Sequence, residues 1–396
     1  MTTGYPVHLD LAGRRVVVVG GGPVAARRMR DLVDAGADVH VVAAYACEDV
    51  HEAAARGDAV LHLREFECRD LDDAWLVHTA TGDEEVDDSV VAAASERRVW
   101  CVRASDAARS PAWRPAVARS GDVVVSVSAG GDPRRATALR SAIAADLQTG
   151  RLPLRRHRRR PGRVTLVGGG PGDPGLITTR GRRRLAEADV VVVDRLAPRE
   201  LLAELADDVE IVEAGKAPGD HLMRQEEINA VLVDRAGRGL HVVRLKGGDP
   251  LVLGRGSEEA EACRAAGVPV ELVPGVSSAL AVPAAAGIPV TARGVASRFA
   301  VVSAHDEALD VEALASLDGT LVFLRGVGRL AEIAERLVAH GRPGSEPVAV
   351  VERGTRPDQR VTRGTLETIA RRAREREVTN PAVIVVGAVA ALEVTR

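Results

Sequence analysis

Apolar residues along the chain fall either into short continuous runs, typical of buried strands, or into a period of three to four residues, typical of amphipathic helices. A strand pattern at 15–19, an arginine followed by four valines, precedes a helical pattern at 26–35 and a second apolar run at 38–43. This succession predicts a βαβ unit with parallel strands. The same sheet is expected to continue through strands at 75–79, 99–102 and 123–127, with helices at 84–97 and 133–147.

A glycine-rich turn joins the first predicted strand to the first predicted helix. Residues 20–25 read GGGPVA, a GxGxxA spacing in which the first glycine allows a tight turn and the second allows a pyrophosphate to approach the backbone. The second strand ends without an acidic residue for the ribose hydroxyls, so NAD and NADP both remain open. The pattern predicts a dinucleotide site, with a purely structural turn as the alternative. Its expected contacts are Gly20, Gly22, Pro23, Val24, Ala44 and Tyr45.

Three predicted strands in the second half of the chain end in loops rich in glycine and proline. Strand 164–167 precedes GGGPGDP, strand 241–245 precedes KGGDP, and strand 270–273 precedes PGVSS. Helices are expected at 178–188 and 225–236. In an open α/β sheet, ligands bind beyond the carboxyl ends of the strands. The sequence therefore predicts a pocket where the three loops converge.

The length of 396 residues exceeds what one hydrophobic core usually supports, so at least two domains are expected. We predict an α/β chain: residues 1–150 form a Rossmann-like parallel-sheet domain with a helical extension, 151–163 a linker, and 164–396 a two-lobed α/β domain. No apolar stretch is long enough to span a bilayer, no secretory signal is present, and the four cysteines lack CxxC spacing. A cytoplasmic protein without a membrane segment is expected.

Positive charge is concentrated in the predicted linker. Residues 151–163 hold seven arginines and no acidic residue, although the formal net charge of the chain is −3. We favour a solvated linker over a nucleic-acid site, because an aromatic content of 2% leaves little for base stacking. Among the 53 cationic residues only Lys216 and Lys246 are lysines, which indicates that these two positions require an amine.

The second half contains five ordered motifs, GGGPGDPGLIT, ADVVVVDRL, RLKGGDP, GRGSEE and VPGVSS. Together they resemble the uroporphyrinogen-III C-methyltransferases of the tetrapyrrole methylase family. The resemblance implies transfer of two methyl groups from S-adenosylmethionine to uroporphyrinogen III, which gives precorrin-2. It implies Asp194 as catalytic base and Lys216 as a functional lysine. The implied adenosylmethionine contacts are Pro171, Gly247, Gly248, Asp249, Val252, Ser277, Ser278 and Gly354, with Arg325 at a position where the family commonly has methionine.

The first half contains VVVVGGGPVAARR, ATGDEEV and SVSAGG. These segments resemble precorrin-2 dehydrogenase/sirohydrochlorin ferrochelatase, and both halves in this order resemble the fused siroheme synthases over nearly the whole chain. The resemblance implies NAD-dependent oxidation of precorrin-2 to sirohydrochlorin, followed by insertion of Fe²⁺. The aspartate expected as acid/base falls on Ser105, next to Asp106. Either Asp106 has taken over that role or this half is slow or inert.

Three functions remain open at this point. The first is a siroheme-pathway enzyme with two or three activities. The second keeps the methyltransferase and treats residues 1–150 as a catalytically silent dimerisation or NAD-sensing module. The third is a methylase of the cobalamin route, or a macromolecular methyltransferase whose linker holds RNA. The resemblance favours the first, as a homodimer that acts on small molecules with no nucleic-acid or membrane partner.

Overall fold

The computed structural model describes residues 4–106, 109–152, 154–155, 161–214, 223–305 and 309–394. The chain divides into two compact units, 1–144 and 145–396. Among the described residues, none of the helices combines the length and the apolar character that a bilayer crossing requires.

The first unit is built around a five-stranded parallel sheet in the order β3-β2-β1-β4-β5. Its central strand β1 consists of β-branched valines that are buried on both faces, as a doubly covered parallel sheet requires. The first two helices pack on one face and the third on the other. This confirms the Rossmann-like prediction. The elements are β1 Arg15–Val19, α1 Pro23–Asp34, β2 Asp38–Ala43, α2 Glu48–Arg56, β3 Val60–Leu63, β4 Leu76–Thr79, α3 Glu84–Glu96 and β5 Trp100–Arg103.

The sequence prediction that strand 123–127 extends this sheet is wrong. Strand β7 (Val123–Val127) instead pairs antiparallel with β6 (Ala116–Ser120) as a separate two-stranded sheet. Only two residues separate the strands, and Gly121 takes φ +61°, as a tight hairpin turn demands. Helix α4 (Pro133–Thr149) follows. Apolar runs indicate strands, but they do not specify which strand is the partner.

The second unit contains two five-stranded sheets, which confirms the two-lobed prediction. The first is entirely parallel, in the order β10-β9-β11-β8-β12. Its elements are β8 Arg163–Gly168, α5 Thr179–Ala186, β9 Val190–Val193, β10 Glu210–Glu213, α6 Gln225–Gly237, β11 His241–Lys246, α7 Gly256–Ala265 and β12 Val270–Val273.

Helix α8 (Ser278–Ala285) leads from the first lobe into the second. The second sheet is mixed, in the order β13-β14-β17-β15-β16, with only the β13–β14 pair parallel. Three helices cover one of its faces, and α8 packs on the other. The remaining elements are β13 Phe299–Ser303, α9 Val311–Ser316, β14 Thr320–Leu324, α10 Leu330–Ala339, β15 Pro347–Glu352, β16 Arg360–Thr365, α11 Ile369–Glu375 and β17 Ala382–Val386.

Candidate active sites

The three glycine-rich loops of the second unit meet at the carboxyl edge of its parallel sheet, as the sequence predicts. A Cβ atom on Gly275 would lie 2.2 Å from the carbonyl oxygen of Gly248 and 2.6 Å from the Cα of Gly168. The Asp249 carboxylate accepts a hydrogen bond of 3.0 Å from the Gly275 amide. Since the contacts are made by backbone atoms, no side chain at Gly168 or Gly275 can be accommodated without moving a loop.

We therefore expect Gly275→Ala to weaken binding of S-adenosylhomocysteine by about 10- to 100-fold, because crowding in a packed site costs about 1–3 kcal/mol. Isothermal titration calorimetry on the full chain measures this affinity. Gly237→Ala is the matched control, since a Cβ on Gly237 meets no atom within 4 Å. Equal affinities of the two variants would show that these loops do not form the nucleoside site.

A cleft of about 550 Å³ opens beside the loops and is lined by residues from both lobes of the second unit. Two of the expected contacts, Asp249 and Ser277, are absent from its lining and hold the loops instead. Asp249 joins two loops, and Ser277 accepts a hydrogen bond of 3.3 Å from the Ala279 amide at the start of α8. Lys216 lies outside the described residues. The expected residues that line the cleft are Pro171, Asp194, Gly247, Gly248, Val252, Ser278, Arg325 and Gly354.

The lining of the cleft is strongly basic. Asp194 is the single carboxylate among its described lining residues. A cleft of this charge suits a substrate that carries several carboxylates, because guanidinium groups pair with carboxylates through two parallel hydrogen bonds. The cationic and histidine side chains that line it are Arg195, Arg244, Lys246, Arg255, His305, Arg325, Arg353 and Arg356.

A buried charge cluster lies beneath Asp194. Glu259 is fully buried and accepts hydrogen bonds from Arg244 Nε at 2.9 Å and from Lys246 Nζ at 2.8 Å. Arg244 also reaches the Asp194 carboxylate, with Nη2 3.5 Å from Oδ1. Burial and the neighbouring Arg244 lower the pKa of Lys246, against the opposing effect of Glu259. Arg244 thus connects the buried Glu259 to Asp194 in the lining of the cleft.

Sequence reasoning missed Glu259, although a signal was present. Arg244 and Lys246 are two residues apart on β11, so their side chains project from the same face of a buried strand. Two buried cations on one face need a shared anion. Glu259, in the GRGSEE motif at the start of α7, supplies it.

The rim of the cleft holds its backbone in an unusual conformation. Four lining residues that are not glycine adopt the left-handed region, Leu253 at φ 52°, Arg255 at 60°, Arg325 at 61° and Arg353 at 45°. Each such residue costs about 1–3 kcal/mol, and they cluster at functional sites in proteins. The Arg325 guanidinium donates a hydrogen bond of 2.9 Å to the Leu253 carbonyl, which connects the two lobes across the cleft.

The glycine turn of the first unit fits a dinucleotide. Gly20 takes φ +118°, and a Cβ there would lie 2.4 Å from the Ala80 carbonyl oxygen, so only glycine suits this position. Gly22 caps α1, and a Cβ on it would meet no atom within 4 Å, which leaves its backbone open to a ligand. The remaining expected contacts, Pro23, Val24, Ala44 and Tyr45, are exposed around this turn.

The two residues expected near the acid/base position differ in their contacts. Ser105 is exposed just after β5, and its hydroxyl donates to the Asp87 carboxylate at 2.9 Å. Asp106 accepts a weaker hydrogen bond of 3.4 Å from the Arg109 amide. The sequence analysis overlooked Asp87, because an acidic residue in the first turn of a helix is also explained by the helix dipole. The hydrogen bond from the exposed Ser105 distinguishes Asp87 from the other acidic residues in the first turn of α3.

Among the described residues, no group of three or more His, Cys, Asp or Glu side chains is placed to hold a metal ion. His40 and His62 contact each other on neighbouring strands, with Nδ1 and Nε2 3.0 Å apart.

The fold and the two sites define a class, a tetrapyrrole methylase joined to a dinucleotide-binding domain. The model of the Tetrapyrrole (Corrin/Porphyrin) Methylases matches residues 163–370, and the Putative NAD(P)-binding model matches residues 7–116. Siroheme synthase 1 of Aeromonas hydrophila is 36% identical over 98% of this chain and 96% of that protein. The chain belongs to the siroheme synthase family.

Two further relatives match the second unit. The uroporphyrinogen-III C-methyltransferase of Bacillus subtilis is 49% identical over 57% of this chain and 48% of that protein. The crystal structure of uroporphyrin-III C-methyl transferase from Thermus thermophilus complexed with S-adenyl homocysteine shares 44% identity, with a TM-score of 0.51. It covers 58% of this chain and 98% of that chain.

Proposed function

We propose that this chain catalyses consecutive steps of siroheme biosynthesis. Residues 164–396 methylate uroporphyrinogen III twice with S-adenosylmethionine, which gives precorrin-2, and residues 1–150 oxidise precorrin-2 with NAD to sirohydrochlorin. One observation carries the proposal most strongly: among its described lining residues the basic cleft presents a single carboxylate, Asp194, beside three loops whose glycine backbones converge. The resemblance to the fused family and the relatives of the second unit support the same assignment.

In the second unit, the chain's own groups bind, orient and remove a proton. The sulfonium of S-adenosylmethionine supplies an electrophilic methyl group, so catalysis depends mainly on alignment with the attacking carbon. The basic side chains of the cleft hold the substrate carboxylates, and the backbone of Gly247 and Gly248 borders the donor. Asp194 accepts the proton that leaves the methylated ring. We assign Lys216 as a second functional group of this step.

In the first unit, the open backbone of Gly22 and the N-terminus of α1 receive the dinucleotide pyrophosphate. Exposed Tyr45, at the end of the neighbouring strand, borders the adenosine half. We extend the proposal to Fe²⁺ insertion into sirohydrochlorin, with iron as a substrate, and to a homodimer. Both rest on the resemblance alone.

The test is a stepwise incubation of the full chain, with absorbance followed after each addition. Uroporphyrinogen III with S-adenosylmethionine is expected to give precorrin-2, NAD then gives sirohydrochlorin, and Fe²⁺ gives siroheme. Failure of the first step overturns the proposed methyltransferase. Normal methylation followed by no change on adding NAD favours the alternative, a catalytically silent first unit.

A further inference from the structure

A buried carboxylate in the first unit is held by hydroxyl groups from two strand ends. Asp87 is only 1% exposed, and its Oδ1 accepts hydrogen bonds from the hydroxyls of Thr79 and Thr81. Thr79 is the last residue of β4, and Thr81 lies two residues further along the chain. Its Oδ2 accepts from Ser105, just beyond β5, at 2.9 Å. Burial by itself would raise the pKa of Asp87, but these hydrogen bonds outweigh it and hold the pKa below its usual value. Asp87 is therefore ionised at neutral pH.

The direction of the hydrogen bonds at Ser105 is fixed by its partners. Arg103 Nε donates to Ser105 Oγ at 2.9 Å, and a guanidinium has no acceptor. The single hydroxyl proton of Ser105 must then point to the ionised Asp87. One lone pair of Oγ remains for an incoming group on the exposed side. The Ser105 hydroxyl is thus polarised between a buried anion, Asp87, and a buried cation, Arg103. The side chains of both partners are 1% exposed.

This pair lies beside the dinucleotide turn. Gly20 packs against the carbonyl group of Ala80. Ala80 lies in the sequence between Thr79 and Thr81, the two threonines that donate hydrogen bonds to Asp87. Strands β4 and β5 are parallel neighbours, with Thr79 opposite Arg103, so Ser105 emerges at the same carboxyl edge of the sheet. Ligands of such sheets bind along this edge.

We propose that Ser105 and Asp87 form the acid–base pair of the oxidation assigned to the first unit. Ser105 is the catalytic residue that meets the reduced tetrapyrrole, and Asp87 is a positioning residue that holds its proton. This inference rests on the proposed function. NAD bound at the glycine turn would supply the two-electron oxidation, by accepting a hydride from a C–H bond of the substrate. The accompanying substrate proton passes to Ser105 Oγ as the hydroxyl proton moves to Asp87, which later releases it to solvent.

The pair is an alternative to both possibilities that the sequence left open at this position, a role for Asp106 or a slow or inert first half. The carboxylate expected at position 105 is contributed by α3 instead of by the strand end, and it reaches the same place through one hydroxyl. A second carboxylate at 105 would lie against Asp87, and like charges at this distance oppose ionisation of both. Serine leaves Asp87 ionised, whereas an aspartate at position 105 would raise the pKa of one of the two carboxyl groups.

The test uses the full chain with precorrin-2 and NAD, and it follows the rate of NADH formation from pH 5 to pH 9. Ser105→Ala and Asp87→Asn are each expected to lower kcat by about 10²- to 10⁴-fold, the usual effect of losing a positioned acid/base. NAD affinity should stay within about threefold of wild type, because neither residue belongs to the glycine turn. The matched control is Glu85→Gln, which alters an exposed carboxylate in the same first turn of α3; it should retain the wild-type rate.

A reciprocal exchange separates this role from a structural one. Ser105→Asp alone places two carboxylates together, so the acid limb of its pH profile should move to higher pH. The double variant Asp87→Asn with Ser105→Asp restores one carboxylate at the site, and its rate should recover to within about tenfold of wild type. A wild-type rate in Ser105→Ala overturns the inference, as does a double variant no faster than Asp87→Asn. Inactivity of the wild type towards precorrin-2 would instead overturn the proposed oxidation itself.

Discussion

Replacement of Asp194 by asparagine is expected to lower kcat for methyl transfer to uroporphyrinogen III by about 10²- to 10⁴-fold, the usual effect of removing a positioned base. Asparagine preserves the shape of the side chain and its contact with Arg244, but it cannot accept the proton that leaves the ring. Affinity for S-adenosylhomocysteine should change little if, as proposed, the nucleoside binds against the backbones of the converging loops. Single-turnover methylation and calorimetry on the full chain measure the two quantities.

Asp207→Asn is the control for that variant, since Asp207 is an exposed residue outside the cleft lining. It should match the wild type in both measurements. If Asp194→Asn transfers methyl groups at the wild-type rate, Asp194 is not the base. If it loses nucleoside affinity as well as rate, its role is binding.

Replacement of Glu259 by glutamine is expected to lower the free energy of unfolding of the second unit by about 3–5 kcal/mol. The change is nearly isosteric, but it leaves Lys246 buried without its counter-charge and leaves Arg244 with only the 3.5 Å contact to Asp194. Both cation side chains are 5% exposed or less, so water cannot replace the missing anion. Urea unfolding of the full chain, followed with a probe attached to the second unit, measures the loss.

A double-mutant cycle tests whether the loss comes from the unpaired cations. Adding Lys246→Met to Glu259→Gln removes one of them and should recover part of the stability. Glu258→Gln changes the preceding, half-exposed glutamate and should shift stability by no more than about 0.5 kcal/mol. Equal stabilities of the Glu259 and Glu258 variants would mean that the buried cluster does not stabilise the fold.

The sequence predicted strands and helices with a strong local pattern up to residue 273, but it predicted none of the elements from α8 to β17. Strands 15–19, 38–43 and 270–273 coincide with β1, β2 and β12. These segments consist largely of β-branched residues, and neighbouring loops bound them clearly. The short edge strand β3 and helix α2 were not predicted, because their apolar positions are few and partly exposed. Hairpin pairing of β7 also escaped prediction, since it depends on a partner distant from the main sheet.

The candidate sites also contain some features that the sequence predicted and others that it did not. Convergence of the three loops follows from strand direction alone, so the sequence was sufficient to predict it. The buried partners were not predictable in this manner. Glu259 and Asp87 both lie in the first turn of a helix, where an acidic residue is unremarkable. Their importance arises from what the fold brings against them, two cations in one case and three hydroxyls in the other.

The residues with left-handed backbone conformation at the rim of the cleft imply a trade-off between thermal stability and catalytic rate. Glycine would adopt the backbone conformation of Arg255, Arg325 and Arg353 without strain, yet each change would remove a cation that lines the cleft. A laboratory selection for thermostability alone would therefore tend to erode the rim first. A selection that also demands product would preserve it and find its stabilising substitutions elsewhere in the molecule.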